Sequence, residues 1–416
     1  MKSVLLCIGL CALLTPFNLL ARGSSGASFD LQEEPACGNH NQVPCLSRDY
    51  SLPLKKVHPD DNPTFKDDLD FYGLQLAIDR QIIRYNNKNI KGDLNIGGER
   101  IPQRHVLKTL KAFKADVNKY LDCKSTRRPE GCLFQFQQTI QENYKVYEPD
   151  LNKEDPRYGE ENSTFFTAYY TPLLDGKLSA EGDYQHAIYK KPQTESLWRS
   201  TRGQIDYDKV LANKGLELFY TKDLFNLYLL HVEGGGRVRV MENGVEKKYY
   251  ISYAGTNKRS WKFISIYMRN QGWINDSSIE SQRQFLKDNP DKQEEAYRTC
   301  PSYVYFKITE TPPEGSDMVS LTDNRSIATD YRNYRFKGLL TFVKTQRLKE
   351  SKINKPNKKI KQRHFKPFSR FMLDQDTGGA IKGKARVDLY FGEGKYARRA
   401  AELQSHYGQL FYLLLK

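Results

Sequence analysis

The chain has 416 residues and a formal charge of +15, with 38% hydrophobic and 12% aromatic residues. This length exceeds one ordinary core, so we expect two domains, and the apolar content excludes a wholly disordered chain. A basic, tyrosine-rich protein suits acidic polymers, nucleic acid or sugars, and net charge does not choose between them. Because no nucleic-acid-binding module is recognisable, we expect no nucleic acid partner.

Residues 1–27 have the pattern of a secretory signal peptide. Lys2 precedes an apolar run over residues 4–20, and small residues follow it as a cleavage site requires. A transmembrane anchor is the alternative reading of this run. Pro16 and Asn18 interrupt it, and it is already short for a membrane span, so we expect export and cleavage.

The cysteines that follow residue 27 predict local disulfides. Cys37 with Cys45, and Cys123 with Cys132, would each close a short loop suited to an oxidising compartment, which leaves Cys300 over. Reduced, buried thiols are the alternative. The sequence has neither the CxxC nor the HExxH spacing of zinc sites, and we expect no metal and no other cofactor.

The first half of the chain predicts an arm and two helices. Residues 28–65 are rich in Pro, Asp and Asn and read as an extended arm. Helical spacing of apolar residues then predicts two helices, within residues 106–120 and 133–144, whose connecting turn a Cys123–Cys132 disulfide would hold. We interpret these helices as packing elements.

Strands dominate the remainder of the sequence. FFTAYYTPLL, from residue 165, predicts a strand that stops at Pro172. Residues 226–255 contain three β-rich runs, the first of which would hold His231 as a packed residue, and Asn243-Gly244 predicts a hairpin. Helices are expected over residues 259–299. Strands resume in a β domain towards the C-terminus.

Residues 344–370 carry eleven Lys or Arg and one acid, Glu350. This charge pattern fits either a patch for an anionic polymer or a solvated, mobile loop. We favour the loop, which could still hold an acidic wall polymer near the site.

Several acids and glycines lie together near the C-terminus, in LDQDTGGAIKGKARVDLYFG. Strands that end near Asp376 and carry Asp388 would bring these carboxyl groups together, and Asp330 lies upstream. Paired carboxyl groups suit glycoside cleavage, and the glycines would let a polysaccharide approach. The alternative is that the acids only cap turns. A metal site is disfavoured by Lys382 and the basic surroundings.

Four motifs in order resemble the MltA family of lytic transglycosylases: FTAYYTPLLDG, LHVEGGGRVRV with YYISYAGTN, LTDNRSIATD, and DQDTGGAIKGKARVDLYFGEG. The last two are similar to the family's three-aspartate domain. The resemblance implies a mainly β fold with N-terminal helices, in which a discontinuous double-psi β-barrel carries an inserted second β domain. It also implies the boundaries 66–172 for the helices and first barrel part, 173–316 for the insert, and 317–416 for the three-aspartate part.

The resemblance implies cleavage of the β-1,4 bond between N-acetylmuramic acid and N-acetylglucosamine in peptidoglycan, without water, to leave 1,6-anhydro ends. Asp388 matches the family's catalytic acid, and Asp376 and Asp330 match its two other aspartates, which would shape the site. The residues that would bind substrate are Thr167, Ala168, Tyr169, Glu233, Gly235, Ala254, Gly255 and Lys382. Glu233 and Gly235 depart from the Gln and Ser of the family pattern. For Tyr169 and Tyr170 we favour a core role over sugar stacking.

Two other functions stay open. A hydrolase on the same barrel would need Asp376 or Glu233 to activate water. A wall-binding protein without catalysis is the third reading. The expected partner is the peptidoglycan glycan strand, and we expect a monomer. The resemblance and the leader imply a periplasmic or outer-membrane-associated protein of Gram-negative type, with lipidation at Cys11 an open question.

Overall fold

The fold comes from a computed structural model, which describes residues 49–88, 90–126, 129–151 and 163–416. The described residues form ten α-helices: α1 (Leu74–Asn87), α2 (Arg104–Thr126), α3 (Pro129–Asn143), α4 (Glu195–Trp198), α5 (Arg202–Asp206), α6 (Leu224–Glu233), α7 (Ile264–Asn270), α8 (Ile279–Asp288), α9 (Gln293–Arg298) and α10 (Gly394–Leu403). The predicted signal peptide and the Cys37–Cys45 pair lie outside the described residues.

The same residues form seventeen β-strands: β1 (Tyr50–Leu52), β2 (Leu54–Lys56), β3 (Asp93–Ile96), β4 (Glu99–Pro102), β5 (Tyr144–Pro149), β6 (Thr164–Thr171), β7 (Leu173–Lys177), β8 (His186–Tyr189), β9 (Glu217–Thr221), β10 (Gly235–Glu242), β11 (Val245–Thr256), β12 (Val304–Thr309), β13 (Ser326–Thr329), β14 (Leu339–Leu348), β15 (Phe365–Asp376), β16 (Arg386–Glu393) and β17 (His406–Leu415). The chain is therefore mainly β with N-terminal helices, as predicted.

The largest sheet closes into a barrel. Its strand order is β14-β15-β13-β16-β6-β17-β5-β2, and an additional pairing between β14 and β17 closes the first six strands on themselves. Two of the pairings, β13 with β15 and β16 with β6, are parallel. Strand β6 precedes the insert and the other five strands follow it, so the barrel is discontinuous in sequence, which confirms the predicted fold class.

The insert is built on a second sheet, with strand order β12-β11-β10-β7-β9-β8. Pro172 separates β6 of the barrel from β7 of this sheet, since proline cannot donate a ladder hydrogen bond. The predicted Asn243-Gly244 hairpin joins β10 and β11, and both turn residues have the positive φ that a two-residue loop demands, 51° and 78°. The predicted helical region 259–299 contains α7, α8 and α9.

The N-terminal helices cover the barrel with their apolar faces. The two predicted helices are α2 and α3, and the Cys123–Cys132 disulfide joins them as expected. Phe113 of α2 lies 4.7 Å from Phe371 of β15 between ring centroids, within one continuous core. Helix α1, which the sequence analysis did not predict, completes this layer. Among the described residues, no helix is long and apolar enough to cross a membrane.

Two sequence predictions were wrong. Residues 224–233 form helix α6, so His231 is buried in a helix and not in a strand. An unbroken apolar run does not separate a helix from a strand, but Asp223 caps the helix and Gly234 ends it with φ 74°. The end of the predicted arm, residues 49–65, contains β1 and β2, and β2 joins the large sheet.

The second correction concerns the basic segment 344–370. It begins in β14 and ends in β15, so only residues 349–364 form a connection, and this connection contains three short 3-10 turns. Arg399 of α10 donates to the Lys355 carbonyl and to Asn357. The turns follow the pairing of Leu348 with Phe365, at the opposite end of β15 from Asp376, and this separates the cations from the acids.

Candidate functional site

Three consecutive strands of the barrel, β15, β13 and β16, place Asp376 and Asp388 at the same level of the sheet. Ala328 of β13 pairs with Asp376 of β15 on one side and with Asp388 of β16 on the other. Asp388 in turn pairs with Thr167 of β6. Since strands lie about 4.8 Å apart, the two aspartates are separated by roughly 10 Å across the sheet. The two acid-bearing strands are therefore not adjacent: β13 lies between them, and the two aspartates share one level of the sheet.

Asp388 is held by two polar side chains. Thr167 donates a hydrogen bond from its hydroxyl to Asp388 Oδ1. Arg386 donates from Nη1 to the same oxygen at 2.6 Å, and its guanidinium lies 5.3 Å from the ring centroid of Phe165. The sequence analysis missed Arg386. Its signal was the strand period of two, which places residues 386 and 388 on one face of β16.

Asp376 is held from three sides. The Tyr169 hydroxyl donates to Oδ2 at 2.9 Å, and the Ser316 N–H donates to Oδ1 at 2.9 Å. Burial raises the pKa of Asp376 above its ordinary value, against hydrogen bonds from the Thr377 N–H, Tyr169 and Ser316 that lower it. Tyr169 is half-buried and polar in its contacts, whereas Tyr170 is a core residue. The predicted core role therefore fits Tyr170, whereas Tyr169 is not part of the buried core.

Asp330 follows strand β13 and has its own set of hydrogen-bond donors. It is fully buried and accepts hydrogen bonds from Arg332, Asn333 and the Gly383 N–H, the last at 2.6 Å. Burial acts to raise the pKa of Asp330, but these donors outweigh it and lower the pKa. Through Gly383, Asp330 fixes the loop over residues 377–385 between β15 and β16. In the described part of the chain it has no hydrogen bond to Asp376 or Asp388.

Glu233 lies on the insert side of the junction, as the last residue of α6. The Tyr170 N–H of β6 donates to its Oε2 over 3.5 Å. Burial raises the pKa of Glu233 to about 8; the Tyr170 hydrogen bond opposes this, and the negative charges of Asp388 and Glu402 add to it. The structure therefore places the carboxyl groups of Glu233 and Asp388 within electrostatic reach of each other.

The other predicted binding positions differ in accessibility. Gly235 is buried, and a Cβ there would lie 3.1 Å from the Ile251 carbonyl oxygen and 3.2 Å from Pro313. Ala254 and Gly255 are half-buried at a bulge in β11, where Gly255 has φ 134°. Ala168 is half-buried beside Leu389, and Lys382 is exposed in the loop that Asp330 fixes. Gly235 is thus a packing position, which the sequence did not reveal.

Two histidines, His231 and His406, are buried in the described structure and do not form a second catalytic centre. Arg202 donates to Nδ1 of the buried His231 at 2.8 Å, and burial together with that guanidinium lowers the histidine pKa. His406 packs against Phe365, at 4.3 Å between ring centroids, and its pKa is lowered to about 4 by burial. Across the described ranges, no group of three or more His, Cys, Asp or Glu side chains could hold a metal ion.

Comparisons with known proteins show two domain matches in this chain. Residues 193–307 match the MltA specific insert domain, and residues 325–414 match the 3D domain. The first match lies within the second sheet and its helices, and the second contains Asp330, Asp376 and Asp388. The chain is therefore similar to lytic murein transglycosylases of the MltA type over its second sheet and over the strands that carry the three aspartates.

The chain is also similar to individual lytic murein transglycosylases, in sequence and in structure. The chain is 29% identical over 252 residues to membrane-bound lytic murein transglycosylase A of Escherichia coli (strain K12), which covers 60% of this chain and 65% of the relative. The match thus spans less than two thirds of that relative. A crystal structure of the membrane-bound lytic murein transglycosylase from Agrobacterium tumefaciens is 21% identical and covers 88% of this chain and 98% of its own, with a TM-score of 0.64.

A crystal structure of E. coli MltA with bound chitohexaose is also similar. It is 22% identical, covers 87% of this chain and 94% of its own, and has a TM-score of 0.63. At these identities the solved structures support the fold of the chain.

Proposed function

We propose that this protein is a lytic transglycosylase that cleaves the β-1,4 bond between N-acetylmuramic acid and N-acetylglucosamine in peptidoglycan and leaves 1,6-anhydro ends. The observation that carries the proposal is the setting of Asp388. Within the match to the 3D domain, this carboxyl group is held by Thr167 and Arg386 on the barrel, at the junction with the insert. The relative of known structure that binds chitohexaose supports a β-1,4-linked glycan as ligand.

Asp388 serves twice in the proposed mechanism. In its acid form it donates its proton to the glycosidic oxygen, and the bond from that oxygen to C1 breaks through an oxocarbenium-like state. The carboxylate then takes the proton of the C6 hydroxyl on the same muramic acid. The C6 oxygen closes on C1, so no water is consumed and Asp388 regains its starting form. A second carboxylate to activate water is not required.

Arg386 and Thr167 prepare this acid by fixing its orientation. Both donate to Oδ1, which leaves Oδ2 to exchange the proton with the substrate. Positioning of this kind contributes to catalysis because a reacting group held in place loses less entropy at the transition state. Asp376 and Asp330 shape the site, the former through Tyr169 and the latter through the loop 377–385.

The remaining assignments concern binding and location. We assign the junction between barrel and insert to the glycan strand, with Ala168, Ala254, Gly255 and Lys382 contributing at its edges. The domain boundaries at residues 172 and 316 follow from the same assignment. Export to a Gram-negative envelope, as a monomer, completes the proposal and fits the membrane-bound description of the relatives.

The test is mass spectrometry of the soluble products from purified peptidoglycan. The mature protein should release muropeptides lighter by one water than their reducing counterparts. Asp388→Asn should release none while keeping the wild-type circular dichroism spectrum. Asp291→Asn, at an exposed position of the insert, is the matched control and should release the same products as wild type. Products with reducing ends would instead establish a hydrolase, and no release by folded wild type would favour a wall-binding protein.

A further inference from the structure

The strand connection over residues 349–364, here called the basic connection, carries a dense positive charge. It contains seven Lys or Arg residues and one acid, Glu350. Glu350 forms ion pairs with Arg347 and Lys366, at 3.0 and 2.9 Å, and both of these cations lie outside the connection. Among the described side chains, no ion pair joins a cation of the basic connection to an acid. Ion pairs within the described protein therefore do not neutralise its positive charge.

The cations of the basic connection lie close together in space. The Lys349 Nζ donates a hydrogen bond to the Arg363 carbonyl at 3.0 Å. Burial lowers the pKa of His364, and the positive charges of four residues of the connection lower it further: Lys355, Arg363, Lys352 and Lys349. Four cations that are spread along the sequence are thus within electrostatic reach of one imidazole. Such a cluster attracts a ligand that carries several negative charges.

Contacts with both parts of the protein hold the basic connection in place. Its two isoleucines pack against the core of the barrel. Arg399 of α10 donates to the Asn357 side chain and to the Lys355 carbonyl, on the barrel side. On the insert side, the Asn357 N–H donates to Glu280 Oε2 of α8 at 3.0 Å. The connection therefore reaches from the barrel to the insert.

The basic connection borders the junction that we assign to the glycan strand. Helix α10 packs against β6 and β16, the strands that carry Thr167 and Asp388. Arg283 of α8 donates at 3.0 Å to Asp223, the residue that caps α6. The connection itself lies at the opposite end of β15 from Asp376. A part of the substrate that is bound there lies away from the bond that is cleaved.

Peptidoglycan carries its negative charge outside the sugar rings. The N-acetylated rings are neutral, whereas the stem peptides that branch from muramic acid have free carboxyl groups, which are ionised at neutral pH. Lysine and arginine side chains bind carboxylates by charge-assisted hydrogen bonds. A membrane surface is a different anionic partner, but segments that bind membranes usually combine cations with exposed apolar side chains. None of the exposed large apolar side chains of the described residues lies in the basic connection.

We propose that the basic connection binds the carboxylates of the stem peptides, which gives peptide-bearing glycan strands a binding advantage that a neutral glycan lacks. The contact is electrostatic, so it should weaken as the salt concentration rises. A stem held at the connection belongs to the same strand whose glycosidic bond lies at Asp388. The inference rests on the proposed function, since it takes the glycan strand to lie in the adjacent junction.

The experiment compares the binding of two soluble ligands by calorimetry: glycan strands that carry stem peptides, and a neutral β-1,4-linked N-acetylglucosamine hexamer. The full mature protein carries Asp388→Asn throughout, so that the strands stay whole. Lys352→Glu with Lys355→Glu should raise the Kd for peptide-bearing strands by about tenfold or more at about 50 mM salt, because two repulsive charges replace two attractive ones. The Kd for the hexamer should change by less than about twofold, because a neutral ligand has no charge to repel.

Lys108→Glu with Lys111→Glu is the matched control, since it changes the net charge equally at exposed positions of α2. His105 of α2 contacts the Leu415 carbonyl at 2.7 Å. Leu415 ends β17, beyond the residues of β17 that pair with the start of β14, so these positions lie away from the basic connection. The control should leave both Kd values within about twofold of the Asp388→Asn protein.

Lys352→Gln with Lys355→Gln should give a smaller rise in the same direction, which keeps the test valid if the reversed charges disturb folding. Unchanged binding of peptide-bearing strands, an equal loss for the hexamer, or an equal loss in the control would each overturn the inference. Loss of binding to vesicles that contain anionic phospholipid, with strand binding unchanged, would overturn it in favour of a membrane contact. Release of anhydro products by the wild type together with unchanged strand binding would contradict this inference alone, whereas reducing-end products together with the expected rise in Kd would contradict only the proposed reaction.

Discussion

The hydroxyl of Tyr169 donates a hydrogen bond to Asp376 Oδ2 over 2.9 Å, although strands β16 and β13 lie between their own strands, β6 and β15. The tyrosine side chain therefore extends across the strand that carries Asp388. Its ring also lies 5.1 Å from that of Tyr390 on β16. One side chain thus ties the first barrel strand to the acid-bearing strands that follow the insert.

Tyr169→Phe should lower the rate of anhydro-muropeptide release while the protein stays folded. The ring is kept, but the buried carboxyl group of Asp376 loses one donor, which costs about 1 kcal/mol or somewhat more. This corresponds to a fall in kcat/KM of about five- to tenfold. Initial rates on isolated glycan strands measure it. Tyr72→Phe, at a side chain 84% exposed, is the control. Equal rates in the two variants would show that the Tyr169 bond has no part in the reaction.

Much of the fold could be predicted because its signals are local. The spacing of Val106, Leu110 and Phe113 predicts α2, and Asn243-Gly244 predicts the β10–β11 hairpin. The barrel strands carry β-rich runs between turn residues. The sequence predicts a strand where helix α6 lies, because an unbroken apolar run shows neither the helical nor the strand period. Asp223 and Gly234 nevertheless mark the two ends of the helix.

The sequence could predict which acidic residues belong to the candidate site. It could not predict the side chains and backbone groups that contact them. The sequence placed Asp376 and Asp388 on two strands, and in the structure both residues pair with Ala328 of the strand between them. Asp330 accepts hydrogen bonds from Gly383 and Arg332, and the packing of Gly235 involves Pro313, far along the chain. Tertiary contacts of this kind leave no periodic signal in a sequence.

Asp67→Ala should destabilise the protein by about 3–5 kcal/mol. Asp67 forms a bidentate ion pair with the fully buried Arg325, with N–O distances of 2.6 and 2.9 Å, and accepts the Phe371 N–H. Without the carboxylate, the guanidinium is buried with an uncompensated charge. Urea unfolding of the full mature chain measures the change. Asp61→Ala, at an exposed position of a 3-10 turn, should shift the unfolding free energy by less than about 0.5 kcal/mol. A loss below about 1 kcal/mol for Asp67→Ala would contradict the prediction.

Gly235→Ser should lower stability and should not improve binding, although it introduces the serine of the family pattern. The new Cβ would lie 3.1 Å from the Ile251 carbonyl oxygen and 3.2 Å from Pro313, so these neighbours must give way by a few tenths of an ångström. Overpacking of this kind costs about 1–3 kcal/mol. Thermal denaturation of both proteins measures the loss. Gly379→Ser serves as the control, because a Cβ at that exposed glycine meets nothing within 4 Å. An unchanged melting temperature for Gly235→Ser would mean that Pro313 yields without cost.

Glu233→Gln should stabilise the protein progressively as the pH rises from about 4.5 to about 8. Burial raises the pKa of Glu233 from an ordinary 4.5 to about 8, and the charges of Asp388 and Glu402 contribute to that shift. Between these two values the native state holds one proton more than the unfolded state. The wild-type free energy of unfolding therefore falls across this window and is constant with respect to Glu233 above it.

Glutamine does not titrate, so the difference in unfolding free energy between Glu233→Gln and wild type isolates this group. It should grow by roughly 1–3 kcal/mol between about pH 5 and about pH 8 and then level off. Urea unfolding of both proteins at several pH values gives the difference, in which all groups that titrate alike cancel. A second comparison, in the Glu402→Gln background, should show a smaller growth because one neighbouring charge is absent. A difference that stays constant from about pH 5 to about pH 8 would mean that Glu233 is already ionised at the acid end, and that burial does not keep its carboxyl group protonated.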